Sequence, residues 1–170
     1  MSSPAAVAVA GAVGQRAGAH RGYSRTVEPG ISVARLDPAT TERFVSLRRA
    51  LGVSSFGINQ IRLGPGERGR IHRHEHQEEV YLVLRGTLSV EVEREERDLA
   101  EGELLRVGPE IRRRLLNRGP EACVVLALGG AGDHNGRDGL AYADWDDAEP
   151  RPPQEIPLPD DLPAEELRTS

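Results

Sequence analysis

Gly66-Glu-Arg-Gly-Arg-Ile-His72-Arg-His74-Glu-His-Gln-Glu-Glu79-Val-Tyr-Leu-Val-Leu-Arg-Gly86 is the stretch on which the reading of this chain turns. Two histidines at i and i+2 share one face of a β-strand, because strand side chains alternate between faces. A glutamate follows after a short turn, at the head of the strongly strand-like run Val80 to Leu84. Gly66 and Gly86 mark the two ends as turns. Two imidazoles and a carboxylate at this spacing can build a metal site.

Outward from this stretch the chain reads as a series of short β elements. Ile31 to Leu36 is expected as a first edge strand, and Arg43 to Leu51 as a strand or one short helix. Phe56 to Leu63 ends at the turn Gly64-Pro65-Gly66, and Arg70 to His74 carries the paired histidines. Val80 to Leu84 and Thr87 to Glu93 form a hairpin around Arg85-Gly86. Leu88, Val90 and Val92 alternate with Ser89, Glu91 and Glu93, which predicts one buried and one wet face. Arg97 to Leu99, Glu103 to Val107, Arg112 to Asn117 and Ala122 to Leu128 complete the set. Many short strands with Gly and Pro turns indicate an antiparallel sandwich or barrel. No internal repeat is evident.

The set Gly66, His72, His74, Glu79 and Gly86 closely resembles the first motif of the cupin superfamily, G-x5-H-x-H-x3,4-E-x6-G, with every fixed residue in register. The second motif of that family, G-x5-P-x-G-x2-H-x3-N, has its counterpart in Gly102 to Asn117. Gly102 and Asn117 hold their places. Gly108 occupies the proline position, with Pro109 one residue later, and Glu110 replaces the central glycine. Arg113 replaces the histidine that is normally the fourth metal ligand. The resemblance covers roughly Ser55 to Gly129. It implies an all-β fold, a double-stranded β-helix (jelly-roll) cupin barrel with irregular N- and C-terminal extensions. The expected layout is a disordered or loosely packed arm over 1–29 and the barrel over 30–129, with its motif core at 55–129. A loop segment then covers 130–149 and a Pro- and acid-rich, poorly packed tail covers 150–170. Pro163 to Leu167 is expected to form a single helical turn, and Tyr142 and Trp145 to anchor the post-barrel segment.

In such a barrel His72, His74 and Glu79 would point into the mouth and share one cation. Neutral imidazoles and a carboxylate suit a divalent transition metal, Fe, Mn, Ni, Cu or Zn. Three protein ligands leave open positions for water or a substrate oxygen. His76, at the strand end, is a candidate replacement for the fourth ligand if it bends inward; otherwise it is an exposed turn histidine. Arg113 carries two readings. Pointing inward, it lies near Glu79, where its guanidinium takes the metal's place as charge partner. Beside a bound metal, it instead recognises an anionic group of the ligand. Tyr81 shares strand parity with Glu79 and either presents its hydroxyl to the pocket or packs. Glu78, Arg112 and Arg114 are expected to face outward. His20 and His134 lie outside the motif, His134 being a lid candidate at most.

Two functions remain open: a metal-dependent dioxygenase or isomerase acting on a small anionic molecule, or a non-catalytic small-molecule binding or sensing cupin, in one form metal-free. Fold alone cannot choose between them. The resemblance also implies a homodimer, and Val80, Leu82 and Leu84, on the face opposite Glu79, need cover from another layer or a partner.

Composition narrows the partners. Of 170 residues 38% are hydrophobic and only 4% aromatic, so the core must rest on Leu, Val, Ile and Ala. All 22 basic residues are Arg, which removes any Schiff-base or phosphate-loop lysine. A formal charge of -5 gives no support to nucleic-acid binding. Charge is uneven: residues 1–53 carry seven Arg against three acids, whereas residues 130–170 carry three against eleven, a pattern expected of solvated, flexible ends, with an acidic tail folded back on the basic amino-terminal part as the alternative. Cys123, the only cysteine, sits in an apolar run and is expected as a small buried hydrophobe. Residues 4–13 are apolar but too short to span a bilayer and lack a preceding basic region. A cytoplasmic protein is therefore expected, with no membrane partner.

Overall fold

The computed structural model describes residues 24–28, 30–130 and 138–169. The expectations for residues 1–23, and with them His20 and His134, lie outside these. Ser24–Glu28 (β1) pairs antiparallel with Ile31–Ala34 (β2), so the end of the stretch expected as a loose arm contains a strand, and β2 edges this hairpin rather than the barrel. Phe44–Ser46 (β3) runs directly into the one-turn helix Leu47–Leu51 (α1). The stretch expected as strand or helix is therefore both, closed by Gly52 in the left-handed region.

Nine further strands follow: Gly57–Leu63 (β4), Ile71–His74 (β5), Glu78–Arg85 (β6), Leu88–Val92 (β7), Glu95–Leu99 (β8), Leu104–Val107 (β9), Arg113–Leu116 (β10), Cys123–Gly130 (β11) and Gly139–Tyr142 (β12). Together with β3 they make two five-stranded sheets, ordered β12-β5-β10-β7-β8 and β3-β4-β11-β6-β9, with every pairing antiparallel. The all-β jelly-roll architecture stands. One strand of these two sheets went unread: β12 falls where only loop was expected, and it pairs with the histidine strand β5. Its four residues, Gly-Leu-Ala-Tyr, are too short and too weakly alternating to announce themselves.

Alternation builds the core between the sheets. Tyr81 and Val83 from β6, Leu88 and Val90 from β7, and Val125 and Ala127 from β11 point inward with Leu63, Val107, Leu115 and Cys123. Each such Val or Leu side chain contributes about 1.5–3 kcal/mol on burial. Val80, Leu82 and Leu84 face the other way and are partly exposed. Ser89 corrects the expected wet face of β7. It is buried, and its hydroxyl donates to Asp98 Oδ1 at 2.8 Å across the β7–β8 pair. Strand parity sets direction, and the neighbouring strand decides exposure.

The tail corrects a second expectation. Residues 150–169 dock on the barrel rather than trail from it. Ile156 and Leu162 are buried. Arg70 Nε donates to the Ile156 carbonyl at 2.5 Å, the Leu162 amide to Gly66 O at 2.8 Å, and the Arg168 amide to Arg118 O at 2.7 Å. Arg118 pairs with Glu96 and Glu166, and Arg168 with Glu96 and Asp98. Proline cannot donate to a ladder, so the segment attaches through isolated amides and two apolar anchors. The expected helical turn appears as a 3₁₀ turn at Ala164–Glu166. Tyr142 and Trp145 anchor the preceding segment, both lying under the Arg112 guanidinium at 5.2 and 5.6 Å.

Candidate metal centre

Three elements bring the site together. β5 presents His72 and His74 on one face, two residues apart. β6, from the opposite sheet, presents Glu79 and, with the same parity, Tyr81. β10 lies beside β5 with Arg113 paired to His72. Across β6, Gly129 of β11 stands opposite Glu79, and a Cβ there would meet Glu79 Cγ at 3.3 Å. The glycine thus leaves room for the carboxylate.

The polar atoms converge on Glu79 Oε2. His74 Nε2 lies 3.4 Å from it and His72 Nε2 3.7 Å. Arg113 Nη2 donates to it at 2.6 Å, and the Tyr81 hydroxyl also donates to it. Arg113 is fully buried and further held by donation from Nε to the Tyr81 oxygen at 3.3 Å and from Nη1 to Ile111 O at 3.1 Å. The two imidazoles meet edge to face, with centroids 5.7 Å apart. His72 Nδ1 lies 3.1 Å from the carbonyl of Arg70. Burial would raise the Glu79 pKa, but the imidazoles and the Arg113 guanidinium outweigh it and hold the carboxyl well below its usual range. Burial lowers the pKa of His72. Burial also pushes the Tyr81 phenol up, so it stays a neutral donor.

Among the described residues, His72, His74 and Glu79 are the His, Cys, Asp and Glu side chains whose donor atoms lie close enough to hold one cation. His76 is not with them; it is exposed at the turn. Glu78 faces outward and pairs with Arg106. Arg112 and Arg114 flank Arg113 on the outer side, Arg114 pairing with Glu91 at 2.6 Å. Cys123 is buried in the core, its thiol pushed up to about 12.

Hydrogen bonds hold the substituted second motif in place at both ends. Glu110, in the place of the central glycine, has φ of +67° and donates its amide to His74 O at 2.8 Å. Asn117 donates to the carbonyls of Leu63 and Glu121 at 2.9 and 2.8 Å and accepts from the Gly119 amide. That pins the turn before β11.

One neighbour escaped the sequence reading. Asp138, at the head of β12, is buried, and its Oδ2 lies 3.7 Å from His74 Nδ1. No spacing rule links it to a histidine 64 positions earlier; only the β12–β5 pairing does.

Residues 59–129 match the Cupin domain family. The protein carries a cupin-superfamily domain there. Solved structures share the fold. A sugar phosphate isomerase from a cupin superfamily, from Silicibacter pomeroyi, is 24% identical over 68% of this chain and 79% of that one, with a TM-score of 0.53. A Cupin 2 conserved barrel domain protein from Salinispora arenicola is 19% identical over 58% and 87%, with a TM-score of 0.51. Comparison with curated proteins found no match. No helix among the described residues is long and apolar enough to cross a membrane.

Proposed function

We propose that this cupin holds a divalent transition metal through His72, His74 and Glu79 and binds a small anionic molecule beside it. One observation carries the reading: both Nε2 atoms face the ionised Glu79 oxygen without hydrogen bonding to it. Their separations of 3.4 and 3.7 Å exceed N–H···O length. They are close to the edge of about 3.3–3.4 Å that a tetrahedral centre with bonds of 2.0–2.1 Å sets between its ligands. His72 Nδ1–H donates to the Arg70 carbonyl, so a neutral ring turns its Nε2 lone pair toward Glu79. A lone pair against a carboxylate calls for a cation between them, and burial disfavours a proton on His72.

Charge supports the anion. A divalent ion with Glu79 and Arg113 leaves the centre with a net charge of +2, and a buried excess of that size draws an anionic ligand. In this reading Glu79, His72 and His74 bind the metal, and Tyr81 and Arg113 orient the carboxylate. A bound metal would supply polarisation of a substrate oxygen, as in a dioxygenase or isomerase. The Silicibacter pomeroyi relative's name makes sugar phosphates a sensible class of anion to include in the screen.

A second reading has its own support. The Arg113–Glu79 pair is buried and already neutral, which suits a metal-free binding or sensing cupin. Elemental analysis of untagged protein beside Glu79→Gln separates the two. Stoichiometric metal in the wild type, lost in the variant, supports the metal centre. No metal in either, even after reconstitution with Fe(II), Mn, Ni, Cu or Zn, overturns it in favour of the second. Oxygen uptake and isomerisation assays on the loaded protein then distinguish catalysis from binding.

The proposal extends to a homodimer through the outer face of the β6 sheet, where Leu82 lies between Leu126 and the exposed Leu104. Light scattering that finds only monomer at micromolar concentration overturns that part.

A further inference from the structure

His74 Nδ1 is a buried polar atom with no hydrogen-bond partner. Leaving such a donor unmade costs about 1–3 kcal/mol. The carboxylate nearest to it is that of Asp138, with Oδ2 3.7 Å away and a side chain only 2% exposed. That oxygen is fixed from behind, accepting the backbone amides of Gln77 at 2.8 Å and His76 at 3.1 Å. The same residue's carbonyl accepts the Glu75 amide at 3.3 Å. Its burial opposes ionisation, but these amides and the neighbouring histidines outweigh burial and hold the carboxyl below its usual range. Gly139 lies opposite His74 in the β12–β5 register, and a Cβ there would stand 3.4 Å from the ring's Cε1. The ring is thus seated on β12, with its Nδ1 edge toward Asp138 and its Nε2 edge toward Glu79.

An imidazole in this seat has two neutral tautomers. With the proton on Nε2, the Nδ1 lone pair faces the Asp138 carboxylate, which is repulsive. With the proton on Nδ1, that edge meets an acceptor, and Nε2 turns its lone pair toward Glu79 at 3.4 Å, whose charge Arg113 already compensates at 2.6 Å, whereas no arginine among the described residues pairs with Asp138. We propose that Asp138 is a positioning residue that locks His74 in the Nδ1–H tautomer and so prepares Nε2 as a ligand. Carbonyl on His72 and carboxylate on His74 then do the same work from two different elements. The inference rests on the proposed metal site for its consequence, but not for the tautomer itself.

The test uses full-length, metal-free, ¹⁵N-labelled protein at neutral pH. Long-range ¹H–¹⁵N correlation reads which ring nitrogen of His74 carries the proton, and a zinc titration reads affinity. In the wild type Nδ1 is protonated and Nε2 is not. Asp138→Ala shifts population to the Nε2–H form and weakens zinc binding about 10–100-fold. Asp138→Asn keeps an oxygen for the two amides but removes the charge, so it folds even if the alanine variant does not, and it moves both readouts less, in the same direction. Finding Nε2 protonated in the wild type, or an unchanged tautomer in the variants, overturns the proposal. Failure of the wild type to bind zinc, with the tautomer as stated, counts against the metal centre alone.

Discussion

The guanidinium of Arg113 and the carboxylate of Glu79 meet at 2.6 Å, although they come from different sheets and lie 34 positions apart in the chain. Arg113 is 0% exposed and Glu79 15%. A charge so enclosed depends on its partner, so removing one side leaves the other uncompensated.

Arg113→Ala therefore destabilises the metal-free protein by about 3–5 kcal/mol. Urea unfolding of both proteins, prepared with chelator, measures the difference. Adding a divalent metal recovers part of it, because the cation can replace the lost charge. A loss below about 1 kcal/mol would mean that Glu79 finds water or another donor.

Backbone conformation gives a second test. Glu110 sits at φ of +67°, where a side chain costs about 1–2 kcal/mol. Glu110→Gly removes that strain at the expense of an exposed pair with Arg73 and of chain entropy, for a net gain of about 0.5–1 kcal/mol. Gly86→Ala goes the other way. Gly86 has φ of +78°, and a Cβ would stand 3.1 Å from the Ala122 carbonyl oxygen. A loss of about 1–3 kcal/mol is expected from the same denaturation curves.

Docking of the tail is tested at Ile156. It is buried at 3% exposure in a segment with little regular structure. Ile156→Ala lowers stability by about 2–4 kcal/mol if the segment packs as described. It also exposes residues 150–169 to limited proteolysis. An unchanged cleavage pattern with unchanged stability would show a tail that rests on the barrel without contributing to it.

Glu67 sets a pH dependence away from the centre. Burial raises its pKa, but the Gly64 amide at 2.7 Å and Arg43 at 3.0 Å prevail and lower it below 4.5. A depressed folded pKa means that the unfolded chain binds the proton more readily as pH falls. The stability Glu67 contributes is present above about pH 4.5 and is lost as pH falls through its lower folded value. Glu67→Gln thus costs about 0.5–1.5 kcal/mol at pH 7. The gap to wild type closes below that window, as read by urea midpoints across pH 3 to 7 on the order of the carboxylate range.

The short-range part of this protein is written in its sequence. The i, i+2 spacing puts His72 and His74 on one strand face whatever the fold, and the run after Glu79 carries Tyr81 and Val83 to the same side. The turn positions of the two motifs demand φ above zero, which is why Gly66, Gly86 and Gly102 occur there and why Glu110 is held in the same region. Nearly every barrel strand was legible because alternation and turn residues act over a few positions. The three-dimensional fold alone decided what those faces meet. It chose Glu79 Oε2 as the atom on which Arg113, Tyr81 and both imidazoles converge. It made a strand of Gly139–Tyr142 by giving it β5 to pair with, and thereby brought Asp138 to His74. It docked a Pro- and acid-rich tail through Ile156, Leu162 and a few arginines. Such contacts depend on sheet register and closure, which join residues tens of positions apart, and no local pattern encodes the distance at which they arrive.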